Sequence, residues 1–221
     1  MHYSAASEGS AKIDPKAEVP MLLVDSGGQY LEGTTDITRT FLLGEVSDEI
    51  KRNYTLTACG MLRLLNAVFL SGATGSALDI MCREPLWEVG IDYRCGTGHG
   101  VGYLLSVHEG PNRFHWQRGG AVLEEGMITT DEPGVYLEGK YGIRTENELV
   151  CHKAEKNEYG QFMEFENITY APIDLDAIDP DLLSAREKKM LNDYHKMVYD
   201  TISPYMTAEE NEWLKRYTRA I

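Results

Sequence analysis

An α+β fold is predicted by three features of the sequence. Helix-like and strand-like periodicities are mixed without the regular alternation of a doubly wound parallel sheet. A Gly- and Thr-rich pair of strand-like runs stands near the start, and two helix-start signatures stand near the end. At 221 residues with 43% hydrophobic side chains, the chain can bury a substantial core, and it shows no internal repeat or low-complexity segment.

Each element has a local cause. Met21 to Asp25 is a short apolar run ending in Ser26-Gly27-Gly28, and Asp36 to Leu43 is rich in Thr, Ile and Phe, so the two are expected to pair as a hairpin. From Ser47 the period changes. Ile50, Tyr54, Met61, Leu62, Leu65, Val68 and Phe69 recur at helical spacing, Asp48 and Glu49 suit a first turn, and Gly72 is the expected stop. A second helix is expected from near Ser76, with Asp79 three positions on, kinked at Pro85 and ended by Gly90. Gly-rich strands and loops then run to about Pro172, punctuated by turn signals at Gly110-Pro111, Gly119-Gly120 and Pro133-Gly134. Ser184 with Glu187 and Thr207 with Glu210 form two capping boxes. The first leads a helix whose apolar face is Met190, Leu191, Tyr194, Met197 and Val198 and which stops before Pro204.

Composition narrows the function classes. The chain carries 35 Asp+Glu against 21 Lys+Arg, a formal net charge of -14, and such a surface repels phosphate backbones and anionic lipid. Neither nucleic acid nor a membrane is therefore an expected partner. No apolar run approaches the roughly 18 residues that span a bilayer, and Glu8, Lys12, Asp14, Lys16 and Glu18 occupy the stretch where a signal peptide would be apolar. Cys59, Cys82, Cys95 and Cys151 are far apart with no CxxC pair, so they are expected to be reduced thiols of a cytoplasmic protein.

Several polar residues lie where burial makes them costly. Asp25 and Asp36 stand at or near the facing ends of the expected hairpin, where an acid serves either as a turn and cap residue or as a metal ligand. In Cys95-Gly96-Thr97-Gly98-His99-Gly100-Val101-Gly102 an imidazole is flanked by alternating glycines, which admit close approach of backbone or ligand. The spacing is not that of a phosphate-cradling glycine loop. A second imidazole, His108, follows in Val107-His108-Glu109-Gly110-Pro111. Two further carboxylates, Glu132 and Glu146, lie in Asp131-Glu132-Pro133-Gly134 and Gly142-Ile143-Arg144-Thr145-Glu146-Asn147.

Taken together with Gly33-Thr34-Thr35-Asp36-Ile37-Thr38-Arg39-Thr40, these runs closely resemble the aminopeptidase P (Xaa-Pro aminopeptidase) branch of the pita-bread metallopeptidases, in order and over nearly the whole chain. Glu164-Phe165-Glu166-Asn167 through Asn211-Glu212-Trp213-Leu214 resembles the C-terminal extension of that family's long, three-domain members. The resemblance implies a pita-bread fold, a mixed antiparallel sheet with flanking helices, over residues 1–173, with a helical extension over 174–221 packed on it. It makes Asp25, Asp36, His99, Glu132 and Glu146 the ligands of a two-metal centre, usually manganese, with zinc, cobalt or iron able to load in vitro. Asp36 and Glu146 would contact both ions. His108 would steady the substrate carbonyl and the developing oxyanion, His2 would be a further active-site histidine, and Arg144 would hold a ligand carboxylate. Cys95 replaces a histidine found in many relatives, near the seat of the substrate's proline. It is expected as a small apolar wall, the alternatives being a stray metal ligand or an oxidation-sensitive thiol.

The chemistry of the residues agrees with that implication. Four carboxylates brought together cannot all stay ionised without cations among them, and oxygen-rich ligation with one imidazole suits Mn²⁺ better than a thiolate zinc site does. Two such ions activate a shared water as hydroxide, and Glu132 is placed to take its proton and pass it to the leaving nitrogen. The expected activity is release of an N-terminal residue ahead of proline, on peptides with proline at the second position. The alternatives are a prolidase, a methionine aminopeptidase-like peptidase, or an inactive fragment that binds only metal or a partner. His2, the second residue, already corresponds to the inside of the family's catalytic domain, so the fold's first elements are expected to be missing. Apolar surface left bare would favour self-association, as a homodimer, and low activity.

Overall fold

The structure is a computed structural model that describes residues 13–104 and 106–221. It is a mixed α/β arrangement of antiparallel sheets with flanking helices. Strands β1 (Met21–Gln29) and β2 (Thr34–Leu42) form the expected hairpin. Their register sets Asp25 opposite Thr38 and Gly27 opposite Asp36, so Asp25, Asp36 and Thr38 share one face. The strands run farther toward the turn than their apolar residues indicate, which places both aspartates within the ladder rather than at its facing ends.

Helix α1 (Asp48–Leu65) starts where expected, with the Ser47 hydroxyl accepting from the Ile50 N–H and Asp48 and Glu49 in the first turn. It ends earlier than the periodicity indicates. The Asn66 side chain takes the Leu62 carbonyl at 2.8 Å, and Val68–Leu70 becomes β3, paired with β10. Val68 and Phe69 thus continue a helical spacing by coincidence, and sheet pairing overrides it. The second expected helix is two: α2 (Gly75–Leu78) and α3 (Ile80–Trp87). The break falls at Asp79, whose carboxylate accepts from Arg83 Nε at 2.5 Å and from the Trp116 N–H at 3.1 Å. Pro85 sits inside α3. Gly60 of α1 lies so close to the Cys82 carbonyl that any Cβ there would collide with it.

The central sheet has six strands in the order β3, β10 (Gly160–Asn167), β9 (Asn147–Asn157), β6 (Ile128–Asp131), β4 (Gly98–Val101) and β5 (His108–Phe114). A small hairpin, β7 (Gly134–Leu137) with β8 (Tyr141–Arg144), follows β6. Gly110-Pro111, a turn signal in the sequence, lies within β5 instead. Among the described residues no helix is long and apolar enough to cross a membrane.

Both capping boxes form, at α4 (Ala185–Ile202) and α5 (Ala208–Tyr217). The inner faces of these helices share one core with α1: Leu191, Tyr194, Val198 and Leu214 pack in the same cluster as Ile50, Tyr54, Leu62 and Ile143. A buried cation ties the parts together. The Arg39 guanidinium, on β2, donates to the Thr38 and Glu146 carbonyls at 2.9 and 2.5 Å, to the Pro172 and Ala171 carbonyls at 2.9 Å each, and to the Tyr194 hydroxyl at 2.8 Å. Arg39→Lys keeps the charge but loses the planar fork, which leaves several buried carbonyls unpaired. It should cost roughly 3 kcal/mol in urea unfolding, and a loss below about 1 kcal/mol would show that the fork is dispensable.

Candidate metal centre

Separate elements bring the acids of the site to one place. Asp25 and Asp36 project from the shared face of the β1–β2 hairpin. Glu146 follows β8, and its N–H donates to the Thr38 carbonyl at 3.1 Å while its Oε2 accepts from the Thr38 hydroxyl at 2.5 Å. Glu132 lies in the break between β6 and β7, held by its own N–H on the Thr97 carbonyl at 2.7 Å and by the Thr130 hydroxyl on its Oε1 at 3.0 Å. His99 is on β4, where the glycines serve close packing: a Cβ at Gly98 would collide with the Thr130 carbonyl.

Ligand atoms of Asp36, His99 and Glu146 all lie within 4.8 Å of one another. His99 Nε2 is 3.2 Å from Glu132 Oε1 and 3.5 Å from Asp36 Oδ2. Its Nδ1 is 2.9 Å from the Gly100 carbonyl, which fixes the proton there and turns Nε2 toward the acids. Asp25 stands slightly apart, ion-paired to Arg144 Nη2. Arg144 also donates to the Thr38 hydroxyl at 3.0 Å and to the Tyr136 hydroxyl at 2.8 Å, and its Nε is 3.8 Å from Glu132 Oε2. The His108 ring meets His99 edge-on, with centroids 4.0 Å apart.

Asp25, Asp36, His99, His108, Glu132, Arg144 and Glu146 line one open cleft of about 1390 Å³, and exposed Cys95 lines it too. Arg83, fully buried, holds the Cys95 carbonyl at 2.8 Å. Of the candidate site residues named from the sequence, only His2 lies outside the described residues. Sequence reasoning missed Thr38, which bridges Glu146 and Arg144, and Tyr136, which orients Arg144. It also missed Glu148, which is buried beside Asp36. Only the proximity of Thr38 and Glu148 to marked acids hinted at the first and last.

The electrostatics reflect crowding. Burial first, and then Glu132 and Asp36, pushes the Glu146 carboxyl well above its ordinary range. Burial and the Asp36 charge raise Glu148 to about 7. Burial also raises Asp25, with Arg144 opposing. For His99 burial acts downward, but the bonds to Asp36 and Glu132 outweigh it and raise the imidazole to about 10. The site therefore retains protons that an unfolded chain would release.

The sign of the pH dependence follows. Between about 4.5 and 7 the folded chain holds a proton on Glu148 that the unfolded chain has lost, and between about 6.5 and 10 it holds one on His99. Stability therefore falls as pH rises through both windows. With chelator present, the melting temperature should fall from about pH 5 to pH 9, less steeply in Glu146→Gln. Saturating Mn²⁺ should flatten or reverse the trend, because ligation requires the deprotonated forms. Thermal melts across this range check it; a rising trend under chelator, or equal slopes for the two proteins, would contradict the electrostatic reading.

Comparison with known proteins agrees with this geometry. Residues 1–153 match Metallopeptidase family M24, and residues 161–221 match the C-terminal region of peptidase_M24. The chain is 45% identical over 225 residues to Aminopeptidase P1 of Lotus japonicus, covering 100% of this chain and 34% of that protein. It is also 45% identical over 226 residues to Aminopeptidase P1 of Arabidopsis thaliana, covering 100% of this chain and 35% of that one. The chain thus spans about a third of the length of these curated relatives. Among solved structures, X-prolyl aminopeptidase from Caenorhabditis elegans, described as a cytosolic enzyme with a di-nuclear active site, superposes with a TM-score of 0.84 at 36% identity, over 91% of this chain and 33% of that one. Xaa-Pro dipeptidase from Bacillus anthracis gives 0.58 at 34% identity, over 70% of this chain and 40% of that one. The fold is the pita-bread fold, and the chain belongs to metallopeptidase family M24.

Proposed function

We propose that this chain is the catalytic part of a two-metal aminopeptidase that releases an N-terminal residue ahead of proline. The observation that carries this reading is the convergence of Asp36, His99 and Glu146 within 4.8 Å, with Glu132 reaching the same imidazole, at the wall of a peptide-sized cleft. In this reading Asp25, Asp36, His99, Glu132 and Glu146 are the ligands. The donor set fits divalent ions: several carboxylates desolvate and repel one another, and His99 offers Nε2 with its proton parked on Nδ1. Oxygen-rich donors with one imidazole favour Mn²⁺, with Zn²⁺, Co²⁺ or Fe²⁺ as in vitro substitutes. When bound, two such ions supply a polarised peptide carbonyl and an acidified water.

The residues of the chain do the rest. Glu132 accepts a proton from the attacking water and returns it to the leaving nitrogen. His108, exposed to the cleft and braced against His99, donates to the oxygen on which charge develops. Arg144 holds Asp25 and stands 3.8 Å from Glu132, which keeps both carboxylates aimed. Cys95 lines the proline side as a small wall, and His2 adds a substrate contact. The division into a catalytic domain over 1–173 and a helical extension over 174–221, a homodimeric state and a cytoplasmic location belong to the same proposal. The location draws support from the nematode relative and from the four free thiols. Similarity to an Xaa-Pro dipeptidase supports a second reading, cleavage of dipeptides alone, and matched dipeptides and tripeptides separate the two.

Asp36→Asn or Glu146→Gln should lose at least one bound ion per chain, as elemental analysis after dialysis reads. Wild-type metal content in either variant would overturn the ligand assignment. In the protein at its natural length, His108→Ala should lower kcat on an Xaa-Pro peptide by about a hundred- to a thousandfold at unchanged metal content. An unchanged kcat would remove His108 from the reaction.

A further inference from the structure

We infer that the bank of the cleft formed by Arg113, Arg118 and His115 recognises a carboxylate on the leaving side of the peptide, and so sets a preference for acidic substrates. The inference rests on the aminopeptidase reading above.

Arg113 is directly opposite His99 in the β4–β5 ladder. Opposed residues of an antiparallel pair share a face, with Cβ atoms roughly 4.5 to 5.5 Å apart. Arg113 therefore rises beside the candidate metal centre, while its neighbour Phe114 is fully buried in the core. His115 comes directly after β5, and Arg118 follows in the same loop; all three line the cleft.

The two arginines are uncommitted, while His115 Nδ1 accepts from the Gln117 N–H at 3.2 Å. Among the described residues the arginine ion pairs are formed by Arg63, Arg83, Arg144 and Arg219. Arg113 and Arg118 are exposed and belong to none of them. Burial first, and then the charges of Arg118, Arg83 and Arg113 against the opposing Asp79, lower the pKa of His115. In a chain of net charge -14, two unpaired arginines on one wall of the cleft form a local inversion of sign. Glu109 and Glu138 also line the cleft, but neither forms an ion pair with them, and Asp92 is taken by Arg83 at 2.8 Å.

The chemistry of an aminopeptidase substrate decides which part of the peptide meets this bank. On the N-terminal side of the scissile bond there is one residue bearing a cationic amine, which the acids attract and the arginines repel. Everything else, including any acidic side chain and the C-terminal carboxylate, lies on the leaving side. A planar guanidinium is suited to bidentate pairing with either carboxylate.

The test uses metal-loaded protein at its natural length and peptides of the form Ala-Pro-Glu-Ala and Ala-Pro-Gln-Ala, each with a free and an amidated C-terminus. The Glu peptide should show about a fivefold higher kcat/KM than the Gln peptide, mainly through KM, and the advantage should shrink with added salt. In Arg113→Gln/Arg118→Gln the ratio should fall below about twofold. A difference only between free and amidated ends would assign the bank to the terminal carboxylate rather than to a side chain. The inference is overturned if wild type cleaves both peptides, free and amidated, with equal kcat/KM, or if the preference survives in the double variant. If wild type cleaves none of them, the aminopeptidase reading itself fails and takes this inference with it.

Discussion

Mutual repulsion among closely held carboxylates is the constraint on which the rest of the structure depends. Asp36, Glu132 and Glu146 gather around His99, with Asp25 beside them, in a place too buried for water to screen them fully. No sequence gathers such charges by local preference, because the unfolded chain keeps them apart at no cost. The fold must therefore hold each acid by its backbone. Glu146 and Glu132 are anchored through their own N–H groups to Thr38 and Thr97, and Asp25 is balanced by Arg144. Cations placed among the acids would turn this stored repulsion into binding energy, since removing one partner from a desolvated charge cluster leaves the others uncompensated.

The Arg39 guanidinium explains how so costly a site is held. Its acceptors are the carbonyls of Thr38, Glu146, Ala171 and Pro172, the Asn147 amide oxygen and the Tyr194 hydroxyl, all neutral. One planar group thus joins the hairpin that carries Asp25 and Asp36, the strand junction that carries Glu146, and the helical C-terminal segment. Leu42 and Asp174 add a second tie at 2.8 Å. The C-terminal helices act on the site through this brace rather than by contact with the cleft.

Much of this architecture was legible in the sequence because its causes are local. Alternating apolar and Thr-rich runs marked the β1–β2 hairpin, and Ser184 with Glu187 and Thr207 with Glu210 marked helix starts to the residue. The site residues were marked in the sequence by glycines and turns beside them, but their assignment as ligands came from the family resemblance, because each taken alone reads equally as a turn, cap or structural residue. What escaped depends on distant partners. Val68 and Phe69 leave the helical pattern because β10 pairs with them, and α2 and α3 separate at Asp79 because its carboxylate is shared by Arg83 and Trp116. Gly110-Pro111 lies within β5 between the two residues, His108 and Arg113, that pair with β4 on either side of a register shift. Thr38, Arg39, Tyr136 and Glu148 carry no motif of their own; their importance comes from what the fold sets against them.

The central claim is that the carboxylates hold two ions side by side rather than one. Electron paramagnetic resonance of the protein loaded with two equivalents of Mn²⁺ tests it directly, because ions roughly 3.5 to 4 Å apart with shared ligands are magnetically coupled. The account predicts an exchange-coupled multiline spectrum that replaces the six-line signal of isolated Mn²⁺ as the second equivalent is added. A six-line signal that simply doubles in intensity would contradict it.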